Sequence, residues 1–378
     1  PAGDPKSPFL MRKLSTLRSA FLLGSLAWLG VQVSDAQLFQ QDFSASTSTA
    51  TYVSATPNNG QFDALNVTGS TAVSINTTGS NKLRYTRTGN SGGFSRITDF
   101  SGPPTSLMIR FDLTLSGTQS AATTGATWWV GSAFATTNTG PANANVHSRL
   151  GLNVSATTGQ FSLRDIGATT NSATYSGTQT ITWVINNSGA AMTYRAPDGS
   201  NESIANDTWD LWVGTTREFN DAAATTASQS LADFKFLWTN GNGVVDFDNM
   251  LVDPIPAIPT ANAATGVGST QFDAEWTTVS GVTGYSLDVS TSSTFASFVS
   301  GYDNLYISGQ TTDSYTVTGL SPSTTYYYRV RGSSQYTVGT FSSGNSNTIT
   351  QATTAGGTNT SVQFAVTGST VSEGVGTV

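Results

Sequence analysis

Apolar and polar residues alternate along most of this chain in short runs. Between Thr105 and Leu115, Leu107, Ile109, Phe111 and Leu113 fall on one parity, and Arg110 and Asp112 fall on the other. A period of two sets the first group on one face of a β-strand and the second on the opposite face. The alternation recurs in Ile181-Thr182-Trp183-Val184-Ile185, in Thr208-Trp209-Asp210-Leu211-Trp212-Val213 and in Phe234-Lys235-Phe236-Leu237-Trp238. Asn-Gly, Thr-Gly and Ser-Gly pairs punctuate the runs, as tight hairpins require. Helical spacing is nearly absent, and only Asp221 to Asp233 predicts a short helix. The pattern predicts an all-β protein built from antiparallel strands.

Two stretches interrupt the strands. Asp253-Pro254-Ile255-Pro256-Ala257-Ile258-Pro259 suits neither a helix nor a central strand, because proline has no N–H to donate. Residues 254–260 are therefore predicted to be a stiff linker. Ala352 to Ser361 is Gly/Thr-rich and predicts a flexible one, centred on 355–360. The mature chain thus divides into a segment at 37–253, another at 257–354 and a remnant at 361–378. The first is too long for one small sandwich and predicts a jelly roll of two large sheets.

The N-terminal region has its own pattern. Residues 1–10 precede the first methionine and are read as upstream, non-structural sequence. Arg12, Lys13 and Arg18 form a basic stretch, Ala20 to Val33 is apolar, and Ser34-Asp35-Ala36 puts small residues ahead of Gln37. This predicts a secretory signal peptide at 11–36. The apolar run is shorter than the ~20 residues of a membrane span, and no other stretch is apolar enough to cross. The expected location is extracellular or cell-surface.

Composition narrows the function. The 378 residues include no cysteine, which excludes disulfides, thiolate nucleophiles and Cys-ligated zinc. Only 10% are charged and the net charge is −7. An acidic surface argues against nucleic acid, whose phosphates need clustered Lys and Arg, and is compatible with Ca²⁺. Aromatic residues make up 10% of the chain, enough for folded cores rather than a disordered tract.

Residues 257–354 resemble a fibronectin type III domain, a Greek-key β-sandwich. Trp276 sits in Phe272-Asp273-Ala274-Glu275-Trp276, where the family has its core tryptophan. Leu320-Ser321-Pro322-Ser323-Thr324-Thr325-Tyr326-Tyr327-Tyr328-Arg329-Val330 resembles the family's L-x-P-x-T-x-Y-x-x-R-V signature. The resemblance implies structural roles for Trp276, Leu320 and Pro322, and makes Tyr326 a buried corner residue whose hydroxyl is tied to backbone. Residues 361–378 resemble the start of a Calx-β repeat through Ser369, Val371, Glu373 and Gly374. That likeness implies an incomplete Ca²⁺ site at Glu373 and a native protein that continues past Val378. The first segment resembles, more loosely, the concanavalin-like or laminin-G-like jelly rolls of bacterial secreted proteins. It opens Leu38-Phe39-Gln40-Gln41-Asp42-Phe43 and closes Val245-Asp246-Phe247-Asp248-Asn249-Met250-Leu251-Val252.

The chemistry is sparse. The only glutamates are Glu202, Glu218, Glu275 and Glu373, none close to another in sequence, so no paired carboxylates of a retaining glycosidase stand out. Asp246 and Asp248 share one parity but are more simply solvent-facing. The single histidine, His147, excludes His₂ and His₃ metal sites and is expected to be a loop or strand-edge imidazole. No nucleophile elbow, phosphate loop or zinc motif appears, and no catalytic residue is assigned. If the first and last strands of the jelly roll pair, Asp42, Asp248 and Asn249 become candidate Ca²⁺ ligands. Trp128 and Trp129 point to opposite faces of a strand, so one is expected in the core and the other outside. Trp209 is expected in the core, and Trp212 with Asp210 on the opposite face. An exposed tryptophan beside a carboxylate suits a sugar ring, which makes Trp128, Trp129, Asp210 and Trp212 the carbohydrate-binding candidates. The chain is thus expected to be a monomeric binding or adhesion protein for glycans or cell-surface proteins, with the later modules as spacers. The alternative is the non-catalytic N-terminal part of a larger secreted hydrolase or nuclease.

Overall fold

The computed structural model describes residues 38–100 and 102–357. The proposed signal peptide at 11–36, the 361–378 remnant and its Glu373 lie outside the described residues.

The first segment is a sandwich of two eight-stranded antiparallel sheets. Across the first sheet the strands run Thr216–Ala223, Thr208–Val213, Thr178–Asn186, Ser106–Ser120, Asn242–Asp253, Lys82–Arg87 and Ala72–Asn76. The short opening strand Phe39–Gln41 pairs with the end of Asn242–Asp253, placing Phe39 opposite Val252. Initial and final strands are therefore neighbours. The second sheet runs Thr170–Asn171, Gln160–Asp165, Val146–Val154, Ala122–Gly131, Asp233–Trp238, Gly92–Arg96 and Ala64–Val67, with Tyr175–Ser176 also on Gln160–Asp165.

The alternation read from the sequence fills the space between the sheets. Leu107, Ile109, Phe111 and Leu113 all enter this core, as do Trp209, Leu211 and Val213. Its centre is aromatic: the Phe236 ring lies 4.9 Å from those of both Trp128 and Phe247. The helix predicted for Asp221–Asp233 is absent. Asp221 lies within the strand Thr216–Ala223, 224–232 form a loop, and Asp233 begins the next strand. Tertiary acceptors take the N–H groups that a helix would have used. Thr225 N–H donates to the His147 carbonyl, and Ser228 N–H to Asp207 Oδ1.

The second segment is a smaller sandwich. Its sheets are Ala261–Thr265, Phe272–Trp276 and Ser314–Val317 on one side, and Leu305–Ser308, Gly284–Ser290, Thr325–Tyr336 and Gly339–Ser342 on the other. Ile349–Ala352 adds to Thr325–Tyr336. Trp276 and Leu320 are buried in its core, and the Trp276 indole donates to the Thr312 carbonyl at 2.9 Å. The Tyr326 hydroxyl accepts the Ser321 N–H at 2.8 Å, while Pro322 lies exposed in the intervening turn. Arg331 is fully buried and grips Asp288 bidentately at 2.7 and 2.9 Å.

The prolines at 254–260 do not hold the two sandwiches apart. Ile255 is 4% exposed and belongs to a third apolar cluster that joins both. Met108, Val184, Trp212 and Leu251 reach it from the outer face of the first sheet. Tyr194 and Ile204 come from a hairpin, Met192–Arg195 with Asn201–Ile204, and Val338 and Phe341 come from the smaller sandwich. Backbone bonding crosses the boundary too. Tyr194 and Ser343 form an antiparallel bridge, and Gly344 N–H donates to the Thr193 carbonyl.

Candidate functional site

The junction decides the fate of the aromatic candidates. Trp212 and Asp210 do lie on the face opposite Trp209, but that face is covered. Trp212 is 2% exposed and Asp210 fully buried. The Trp212 indole donates to the Tyr194 hydroxyl at 2.8 Å, and that hydroxyl donates to Asp210 Oδ2 at 2.6 Å. Asp210 Oδ1 accepts the Asp221 N–H. Burial raises the Asp210 carboxyl pKa, with the Tyr194 donor working against it. This pair therefore braces the hairpin and has no surface to offer a sugar.

Trp128 is likewise unavailable, stacked at 5.3 Å on Phe111 in the core. Trp129 takes the outer face, as its parity requires, and is half-buried. Arg149 and Lys235 flank it across the strands. The loop between Gly131 and Asn143 lies over it: a Cβ on Gly140 would come within 3.2 Å of the ring. Lys235 Nζ holds that loop by donating to the carbonyls of Ala135, Thr137 and Thr139 at 2.6–2.9 Å. A loop, not open solvent, covers the one outward tryptophan of the pair.

Strand pairing at the sandwich edge brings Asp42, Asp248 and Asn249 to one open recess, with Ser44, Ser80 and Asn81. A bulge after Asp248 shifts the register there, and Asn249 adopts a φ of +48°. Asp42 Oδ1 accepts from the Ser44 N–H and hydroxyl. Asp248 accepts from the Ser80 hydroxyl at 2.7 Å and the Asn249 N–H at 2.9 Å. Burial pushes its carboxyl pKa up, and those donors pull it down. Asn249 Nδ2 donates to Asp112. Two carboxylates and an amide oxygen are a partial set for Ca²⁺, which takes six to eight oxygens. Among the described residues no three His, Cys, Asp or Glu side chains gather in metal-binding geometry. Asp246, by contrast, is closed by Arg84 in a two-point ion pair at 2.7 Å.

His147 is no strand-edge imidazole but a fully buried one. Its Nδ1 meets the Ser148 hydroxyl at 2.8 Å and its Nε2 lies 3.5 Å from Asp207. A nucleophilic triad needs the carboxylate on one ring nitrogen and an accessible serine on the other. Ser148 is fully buried, so the arrangement is structural. The glutamates are apart as well. Glu202 pairs with Arg217, Glu218 accepts from Tyr175, and Glu275 accepts from Thr265 in the smaller sandwich.

Beside the apolar junction lies a cleft of about 400 Å³. Arg110, Thr180 and Thr182 line it from the first sheet, Arg195 and Pro197 from the hairpin, and Asn304, Thr340 and Ser342 from the smaller sandwich. None of these residues stood out in the sequence. The available signal was the broken alternation of the outer face: Met108, Val184, Trp212 and Leu251 are apolar on the parity that should meet water. A sheet that is apolar on both parities is covered on both faces.

Comparison with known proteins identifies part of the chain. Residues 257–348 match the family model described as fibronectin type III domain. The chain is similar to a solved fibronectin type III domain of human fibronectin type III domain containing protein 3, at 24% identity over 28% of this chain and 93% of that one, with a TM-score of 0.21. It is similar to the FN1–FN3 domains of chicken CNTN1, at 15% identity over 67% of this chain and 99% of that one, with a TM-score of 0.23. A β-1,2-glucanase from Parabacteroides distasonis is similar at 12% identity over 76% of this chain and 36% of that one, with a TM-score of 0.21. No curated protein matches. Among the described residues no helix is long and apolar enough to cross a membrane.

Proposed function

We propose that this chain is a secreted or cell-surface binding protein that presents its two sandwiches to a glycan or surface partner as one docked unit. The supporting observation is the junction. A spacer would leave the two domains joined by a bare linker. Here Ile255, Phe341 and Trp212 share a buried cluster, and backbone bonds cross from Thr193 and Tyr194 to Gly344 and Ser343. Such docking fixes the walls of a cleft of mixed polar and apolar lining that belongs to neither domain alone, and clefts at domain junctions are common places for ligands. The proline-rich segment acts as a clamp.

The test uses the full chain on a glycan array, beside the variant Phe341→Asp, which sets a charge in the buried cluster. Binding by the parent that is lost in the folded variant supports a junction ligand. A blank array, or equal binding by the variant, removes it.

A further inference from the structure

We infer that the junction cleft takes a carboxylate-bearing saccharide, such as a uronate, between the guanidinium groups of Arg110 and Arg195. This rests on the junction being the binding place proposed above and adds the charge of the ligand.

Arg195 is the unusual residue. Arg84, Arg96, Arg217, Arg329 and Arg331 each pair with a carboxylate. The Arg195 guanidinium makes no hydrogen bond or close ion pair with any described residue, although the residue is only partly exposed. Its guanidinium passes over the hairpin turn, 3.4 Å from where a Cβ on Gly199 would stand. Burial disfavours its charge, as do the neighbouring Arg331 and Arg329, while Asp288 and Asp303 favour it. A half-buried cation without a partner is costly, and an anion arriving in the cleft removes that cost. The chain as a whole is acidic at −7, so a cationic cleft is a local arrangement and not a reflection of general basicity.

Arg110 faces the same space. One of its nitrogens, Nη1, donates to the Val338 carbonyl at 2.5 Å. A guanidinium has five N–H donors in a planar fork, so the rest remain for a ligand. That fork matches a carboxylate at two points. Around the two arginines, Thr182 and Thr340 supply hydroxyls, which can both donate to and accept from sugar hydroxyls, while the Thr180 hydroxyl already donates to Asp112 and the Ser342 hydroxyl is bonded to Ser333. A plain dianion such as sulfate accepts from those hydroxyls but has no hydroxyl of its own to donate to them.

Isothermal titration of the full chain with digalacturonate tests this, with cellobiose as the neutral sugar and sulfate as the plain oxyanion at matched ionic strength. Digalacturonate is expected to bind and cellobiose to give no heat. Arg195→Gln is expected to weaken digalacturonate roughly tenfold or more, as loss of a charge-assisted contact does. Because the Arg195 guanidinium has no hydrogen-bonded partner, the same variant is expected to melt no lower than the parent, which separates lost binding from lost folding. Cellobiose binding as tightly as digalacturonate, with Arg195→Gln unchanged, overturns the charge assignment and leaves the junction reading standing. Sulfate binding without digalacturonate overturns the saccharide. No heat from any of the three overturns the site.

Discussion

Arg110 of the larger sandwich and Val338 of the smaller one are joined by a direct hydrogen bond across the domain boundary. Gly339 makes room for it, since a Cβ there would stand 2.0 Å from the Arg110 nitrogen. The colliding atom is the end of a flexible side chain, so Gly339→Ala is expected to displace Arg110 and leave both folds intact. Loss of about one hydrogen bond corresponds to ~1 kcal/mol. Hydrogen exchange should show faster exchange confined to the 336–342 turn and its partners.

Tyr194 is the second brace. Its hydroxyl accepts from Trp212 and donates to Asp210, so Tyr194→Phe strands a buried indole N–H and a buried carboxylate oxygen. Leaving such groups unmet costs about 1–3 kcal/mol each. The sign of the pH dependence follows from the donor. Tyr194 O–H favours the ionised Asp210, so its loss should destabilise more at neutral pH than in acid, where Asp210 carries its own proton. Denaturant melts of parent and variant at pH 4 and pH 7 measure the difference.

Two buried groups pull stability in opposite directions with pH. Asp233 is nearly fully buried, and its Oδ1 has no hydrogen-bond partner. Burial raises its pKa to about 7, against the Phe134 N–H donor. Unfolded aspartate titrates near ~3.9, so this group's stabilisation is complete below that value and is lost as pH rises through about 7. His147 has its pKa lowered by burial, with Asp207 opposing. Its stabilisation is present above the unfolded value of about 6.5 and is lost as pH falls through the lower folded value. Relative to the parent, Asp233→Asn should therefore gain melting temperature as pH rises from 5 to 7. His147→Gln should lose melting temperature relative to the parent over the same interval.

The recess at Asp42 and Asp248 makes the calcium expectation directly measurable. A ligand that binds only the native state raises its stability by mass action. Melting in millimolar calcium is expected to exceed melting in chelator, and Asp248→Asn to abolish the gain. Equal melting temperatures with and without chelator remove calcium from the account.

The fold was largely legible because a period of two survives in the inward residues. Leu107, Ile109, Phe111 and Leu113 were assigned to one face and occupy the core. Tyr326 was legible because its signature fixes a local backbone contact. The junction was not, because the same rule was applied to outward positions. Val184 and Leu251 carry no signal under that rule, and Trp212 becomes a carbohydrate-binding candidate, although each is apolar where water is expected. The 224–232 loop is illegible for a related reason: its N–H groups are satisfied by residues remote in sequence, which no local pattern displays. Proline signalled a break in strand structure correctly, but a break in hydrogen bonding is not a separation in space.

The absence of cysteine offers a clean measurement of the docked unit. Ser74 lies exposed on the strand Ala72–Asn76 and Ser314 exposed on Ser314–Val317, one in each sandwich. Spin labels attached to Ser74→Cys and Ser314→Cys in the full chain report the distance between them by pulsed electron resonance. A docked junction predicts one narrow distance distribution that broadens in Phe341→Asp. A broad distribution in the parent chain would contradict the docking.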